Sequence, residues 1–88
     1  MKTAFRETFA RDLKGVRDKN LLQRVKESIE AVEGADSLNA LPNLKKLKGA
    51  KNYFRLKIGD YRIGLALESN AVVFVRFLDR KDIYKYFP

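Results

Sequence analysis

The side chains best suited to chemistry in this chain come in alternation. Tyr53, Arg55 and Lys57 stand two residues apart in the run Tyr53-Phe54-Arg55-Leu56-Lys57-Ile58, and Arg62 follows across Gly59-Asp60. In a strand, residues two apart share a face. With Phe54, Leu56 and Ile58 turned inward, Tyr53, Arg55 and Lys57 turn outward together. The segment Tyr61 to Glu68 alternates again, so Arg62, Gly64, Ala66 and Glu68 share that outward face. Arg55, Lys57 and Arg62 then converge around one hairpin, beside a shallow trough floored by the small residues Gly64 and Ala66. A trough rimmed by guanidinium and ammonium groups suits a phosphate backbone. The plain alternative is a solvated face, because Lys and Arg also deter edge pairing. Against it, like charges placed close together cost stability unless a partner offsets them.

Downstream, Arg76, Arg80 and Lys81 come from a last strand and its exit, and Tyr84 follows. The exit of a meander's last strand lies near the hairpin face, which places Arg80 and Tyr84 to reach the same trough. A tyrosine there either stacks on a base or supplies a proton, or else packs as part of a tail. Tyr86 and Phe87 read as tail residues packed on the core. Upstream, Lys45, Lys46, Lys48 and Lys51 form a basic run that extends the candidate binding surface.

Composition narrows the chemistry. The 88 residues contain no cysteine and no histidine. Disulfides, thiolate metal sites and Ser-His or Cys-His nucleophilic pairs are therefore excluded. The carboxylates are scattered, so neither a metal site nor a cofactor is expected. Lys and Arg number 19 against 11 Asp and Glu, a net charge of +8. Residues 1–44 carry eight basic and seven acidic side chains, and residues 45–88 carry eleven and four. So uneven a balance points to a polyanionic partner met by the second half. No apolar run approaches the ~20 residues of a membrane span. Met1 to Ala10 lack the apolar stretch of a signal peptide. A cytoplasmic domain with no membrane partner is the expectation.

The elements that must position these residues follow from periodicity. A length of 88 residues allows one domain, 1–88. Thr3 to Phe5 read as a short strand. Phe9, Leu13 and Val16 fall at helical spacing from Glu7, with Thr8 as a candidate N-cap. A break near Asp18 or Asn20 separates a second helix, whose stripe is Leu22, Val25, Ile29 and Val32 and whose stop is Gly34. Ala35 to Lys51 read as a loop rich in turn formers. Then come two alternating strands joined at Gly59-Asp60, a turn at Ser69-Asn70, and a near-continuous apolar strand from Ala71 to Leu78. Arg80 to Phe87 form a short helix or a tail. The fold class is α+β, in β-α-α-β-β-β order: two N-terminal helices packed on one face of a small antiparallel sheet.

The run Leu47-Lys48-Gly49, the stretch Tyr53 to Ile63 with its Gly59-Asp60-Tyr61-Arg62, and Val73-Phe74-Val75-Arg76-Phe77 followed by Arg80-Lys81-Asp82-Ile83-Tyr84 together resemble the RelE/ParE toxin superfamily. The likeness covers most of the chain and is strongest from Leu47 to Tyr84. It implies a RelE-like fold and the toxin of a toxin–antitoxin pair. It also implies a metal-independent endoribonuclease cutting mRNA, on the ribosome in many relatives, and held inactive by a cognate antitoxin. By motif position Arg55 and Lys57 match the family's basic strand pair, Arg62 the arginine of Gly-Asp-Tyr-Arg, and Arg80 and Tyr84 the C-terminal arginine and tyrosine. Two departures stand out. Leu78-Asp79 replace the Gly-His common before the C-terminal arginine, and Asp79 sets a negative charge beside the anion site. ParE-like members act on DNA gyrase and are not ribonucleases. Presence of Arg55, Lys57, Arg62, Arg80 and Tyr84 together favours the nuclease branch. A ParE-like toxin or an RNA-binding module that does not cut are the alternatives.

Cleavage through the 2′-OH needs a base, charge stabilisation at the phosphorane and an acid for the 5′ oxygen. Lys57 is the candidate base, since like-charge repulsion from Arg55 and Arg62 favours its neutral form. Arg62 and Arg80 stay protonated and suit the electrostatic role. Tyr84 orients the nucleotide or helps move the proton.

Overall fold

The computed structural model describes residues 1–49 and 51–88, so the loop reading at Ala50 lies outside the described residues. In chain order the elements are β1 (Lys2–Phe5), α1 (Glu7–Lys14), α2 (Lys19–Gly34), a 3-10 turn (Leu38–Ala40), β2 (Leu44–Lys46), β3 (Tyr53–Ile58), β4 (Tyr61–Glu68), β5 (Ala71–Asp79) and α3 (Arg80–Tyr86). The five strands form one sheet in the order β1-β5-β4-β3-β2. The expected α+β architecture is present, with two corrections. β1 lies parallel to β5, so the sheet is mixed. The segment read as a loop contains β2, antiparallel to β3.

Alternation places the apolar side chains of β3 and β4 as anticipated: Leu56, Ile58, Ile63 and Leu65 are buried, with Phe54 and Leu67 packed beside them. The α2 stripe meets this layer through Val25 and Val32, which are buried. Asp18 starts α2 by accepting from the Asn20 and Leu21 N–H groups, at 2.9 and 3.2 Å, which satisfies two of the donors a helix leaves unpaired.

Helix α1 does more than cover the core. β1 ends opposite Phe74, where the Arg6 N–H donates to the Phe74 carbonyl at 2.9 Å. Beyond that point, among the described residues, β5 has no strand on this side, and its register against β4 slips between Gly64 and Leu65, leaving Val75 without a partner residue there. Thr8 and Asp12, one helical turn apart, supply side chains where backbone partners are missing. The Thr8 hydroxyl donates to the Val75 carbonyl at 2.6 Å, and the Asp12 carboxylate accepts from the Phe77 N–H at 2.9 Å. Thr8 is therefore not the N-cap of α1, a position Arg6 holds without a side-chain bond. The strand edge is satisfied without offering a free ladder.

Asp12 also accepts from Arg76, Nε at 2.8 Å and Nη2 at 3.1 Å. Asp12→Ala strips partners from a guanidinium and a backbone N–H at once, a loss of ~2–3 kcal/mol for charge-assisted bonds to partly buried groups. At ~4–8 °C per kcal/mol for a domain of this size, the melting temperature is expected to fall by about 10–20 °C. Thermal unfolding followed by circular dichroism checks it, and a fall below a few degrees would show that water replaces the carboxylate.

Candidate active site

The outer face of β3 and β4 carries the basic residues, and strand register explains their convergence. Lys57 sits directly opposite Arg62, Arg55 opposite Gly64, and Lys45 of β2 opposite Arg55. The β3–β4 turn closes at Gly59, whose φ of 56° lies in the left-handed region that glycine tolerates. A Cβ there would also stand 3.1 Å from an Arg24 guanidinium nitrogen. Arg62 folds back on this turn. Its Nη1 donates to the Gly59 and Tyr61 carbonyls, both at 2.9 Å, which fixes the guanidinium and leaves Nε and Nη2 to bind an anion.

Asn43, Lys45, Arg55, Lys57, Arg62 and Tyr84 line an open cleft of about 410 Å³. Tyr84 reaches it from α3, with the Arg55 guanidinium carbon 4.4 Å from the ring centroid, a cation–π stack. An adjoining cleft of about 350 Å³ shares Lys45, Arg55 and Tyr84 and adds Lys46, Lys48 and Phe87. The Arg55–Tyr84 pair thus stands where the two clefts meet. Among the described residues no carboxylate forms an ion pair with Lys45, Arg55, Lys57 or Arg62. The charge of this face is left for a ligand.

Other residues singled out in the sequence lie elsewhere. Lys51 is exposed in a turn and lines neither cleft. Tyr53 is half-buried, its ring edge-on to Phe87 at 5.7 Å. Arg80 and Lys81 begin α3 with exposed side chains and line neither cleft, although the Arg80 N–H donates to the Asp60 carbonyl at 2.8 Å. Arg76 is committed to Asp12, which holds its guanidinium above the usual arginine range through the side-chain hydrogen bond, and it lies 5.9 Å from the Tyr86 ring. It is a structural strut, not a free phosphate ligand. The Asp79 carboxylate caps α3, accepting from the Lys81 N–H at 2.8 Å.

The open floor expected at Gly64 and Ala66 is a further correction. Both residues are buried, and the Phe87 ring sits over Gly64 so closely that a Cβ there would lie 2.7 Å from it. The trough survives on either side of Tyr84, with Phe87 as part of its wall. Sequence reasoning missed Asn43, which faces the cleft from a left-handed backbone position, φ 64°. The available signal was the Pro42-Asn43 turn itself.

Among the described residues no group of three His, Cys, Asp or Glu side chains is placed to hold a metal ion. Nor is any helix long and apolar enough to cross a membrane.

Comparison with known proteins fits this architecture. A toxin of Methanocaldococcus jannaschii named Toxin RelE3 is 44% identical over 89 residues, covering the whole of both chains. The toxin in the crystal structure of a RelB-RelE antitoxin-toxin complex from Methanococcus jannaschii superposes with a TM-score of 0.81 at 41% identity, covering 97% of this chain and 99% of that one. The archaeal RelE-RelB complex from Pyrococcus horikoshii gives 0.73 over 90% and 93% of the two chains, and at 17% identity it attests the fold alone. Residues 4–84 match the family model described as the ParE toxin of the type II toxin-antitoxin system parDE. With that match over nearly its full length, the chain belongs to the ParE toxin family, within the RelE/ParE toxin superfamily.

Proposed function

We propose that this toxin is a metal-independent endoribonuclease that cuts mRNA on the ribosome and is restrained in the cytoplasm by a cognate antitoxin. The observation that carries the reading is the meeting of Arg55, Lys57, Arg62 and Tyr84 in one cleft without a neutralising carboxylate. Such a site binds a phosphate and offers a group able to lose a proton. In the proposed step Lys57 takes the 2′-OH proton, the 2′ oxygen bonds to phosphorus, and the bond to the 5′ oxygen breaks with a proton delivered to it. The products are a 2′,3′-cyclic phosphate and a 5′-hydroxyl. Arg62, tethered to the hairpin turn, stabilises the charge that develops on the phosphorane. Tyr84 stacks on the neighbouring base or supplies the leaving-group proton. Arg80 lines neither cleft, so in this reading the electrostatic role rests first on Arg62, with Arg55 beside it. Lys45, Lys46 and Lys48 hold the flanking backbone. Two relatives with solved structures are described as complexes of a toxin with its antitoxin. An acidic antitoxin segment laid along this cleft would offset the basic second half and exclude RNA.

The test measures affinity with the purified chain and a non-cleavable RNA oligonucleotide, and cleavage with ribosomes carrying mRNA. With about four phosphates held, log K against log salt has an expected slope near −3. Arg62→Ala is expected to reduce that slope by about one and cleavage of RNA by roughly 10²-fold or more. Arg80→Ala is expected to cost less than about tenfold, because its side chain lies outside the cleft. A flat salt dependence overturns the nucleic-acid reading. Intact mRNA in arrested cells, together with a DNA-damage response, would point instead to a gyrase-directed toxin.

A further inference from the structure

Tyr84 is placed where chemistry is proposed, yet little holds it there. Tyr84 is 69% exposed, and among the described residues its ring stacks only with the Arg55 guanidinium. It rides on α3, seven residues long, a length far too short to persist as an isolated helix. What fixes α3 is its burial at two points. Ile83 is fully buried near its middle, and Phe87, just past its end, is 5% exposed. Phe87 and Tyr84 are three residues apart, and both line the cleft that holds Arg55. The seat of Phe87 is Gly64, which pairs with Arg55 across β3 and β4. Glycine in a strand interior sacrifices packing and entropy, and Gly64 has no positive φ to justify it. Its use is steric: with a Cβ 2.7 Å from the Phe87 ring, only a hydrogen fits. Tyr53 closes the seat from the side, edge-on to the same ring.

We infer that Gly64 and Phe87 form a socket and plug that position Tyr84 over Arg55. Phe87 is a positioning residue: it acts through α3 and takes no part in bond making. The inference rests on the nuclease reading for its catalytic meaning, but the geometry stands apart from it. A misplacement of about 1 Å in a catalytic group is enough to cost roughly 10²-fold in rate.

The experiment compares wild type, Gly64→Ala, Phe87→Leu, Phe87→Ala and the double variant Gly64→Ala with Phe87→Ala. Two readouts are taken in the free protein and in RNA cleavage. The first is the ring-current shift that the Tyr84 ring imposes on the Arg55 side-chain protons, identified in wild type by its loss in Tyr84→Leu. The second is single-turnover cleavage of mRNA on ribosomes, set beside affinity for non-cleavable RNA. Gly64→Ala and Phe87→Ala are each expected to abolish the ring-current shift. Each is expected to slow cleavage by about 10²-fold with affinity changed less than about threefold. Phe87→Leu, which refills the seat, recovers most of both. Gly64→Ala adds nothing once Phe87 is absent, because its effect runs through the ring. Persistence of the shift in well-folded Phe87→Ala overturns the inference, as does additivity in the double variant. If Phe87→Ala does not fold, Gly64→Ala and Phe87→Leu decide by the same shift. A wild type that leaves mRNA on ribosomes intact fails the nuclease reading alone, since the shift still reports whether the plug places Tyr84.

Discussion

Lys57→Arg is expected to lower single-turnover RNA cleavage by about 10²–10⁴-fold, the usual size of a lost acid–base contribution, while affinity for non-cleavable RNA stays near wild type. Arginine keeps the positive charge and binds phosphate at least as well as lysine, but it does not release a proton at any pH a protein survives. The substitution therefore separates a base from a phosphate clamp. The fold tolerates it: Lys57 is exposed, and its structural duty is a backbone N–H donated to the Asn43 carbonyl at 3.0 Å, which any residue but proline supplies. Near-wild-type cleavage by the variant would remove Lys57 from the proton transfer and move that role to Tyr84.

The second large effect concerns stability. Phe74→Ala is expected to cost ~3–5 kcal/mol, from lost transfer energy plus the cavity that remains. Phe74 is fully buried, stacked on Phe5 at 5.0 Å and tilted against Phe9 at 5.4 Å. It is the point where β1, α1 and β5 share one contact. A small domain holds only ~5–15 kcal/mol in total, so the variant is expected to be partly unfolded near 37 °C. Phe5→Ala, which removes a ring already 50% exposed, is expected to cost well under half as much. Urea unfolding of both variants checks the ratio. Equal losses would show that the exposed ring packs as tightly as the buried one.

Much of the scaffold was legible because its signals are local. The β3–β4 hairpin announces itself by strict alternation around Gly59-Asp60, and α2 by a single stripe from Leu22 to Val32. Face assignment followed, and with it Arg55, Lys57 and Arg62 as neighbours. What escaped is what depends on distance along the chain. β2 is three residues long with both lysines exposed, so it carries no alternation to detect. β1 is visible as a strand, but its parallel partner lies some 69 residues away. Arg76 alternates like a surface cation, yet it meets Asp12 from 64 residues upstream. Gly64 looked like open floor because period two states which face a residue occupies, and nothing about what covers that face. Phe87 packs inward as the sequence suggests, but Tyr86, read the same way, is 60% exposed. The seat of Phe87 beside the cleft becomes apparent only once α3 is laid across the sheet.

The way α1 and β1 complete β5 bears on how the molecule assembles. The hairpins β3–β4 and β4–β5 join residues close in sequence and can form early. The parallel β1–β5 ladder and the Thr8 and Asp12 bonds bridge 64 to 69 residues and must close most of the chain into one loop. Such non-local closure is slow relative to local pairing. During synthesis the N-terminal strand and helix emerge first and have nothing to pair with until β5 follows. β1 and α1, made before the strands they complete, are thus among the last parts of this domain to find their place. The cleft, whose Tyr84 follows β5 in the chain, cannot be assembled ahead of the sheet that carries it.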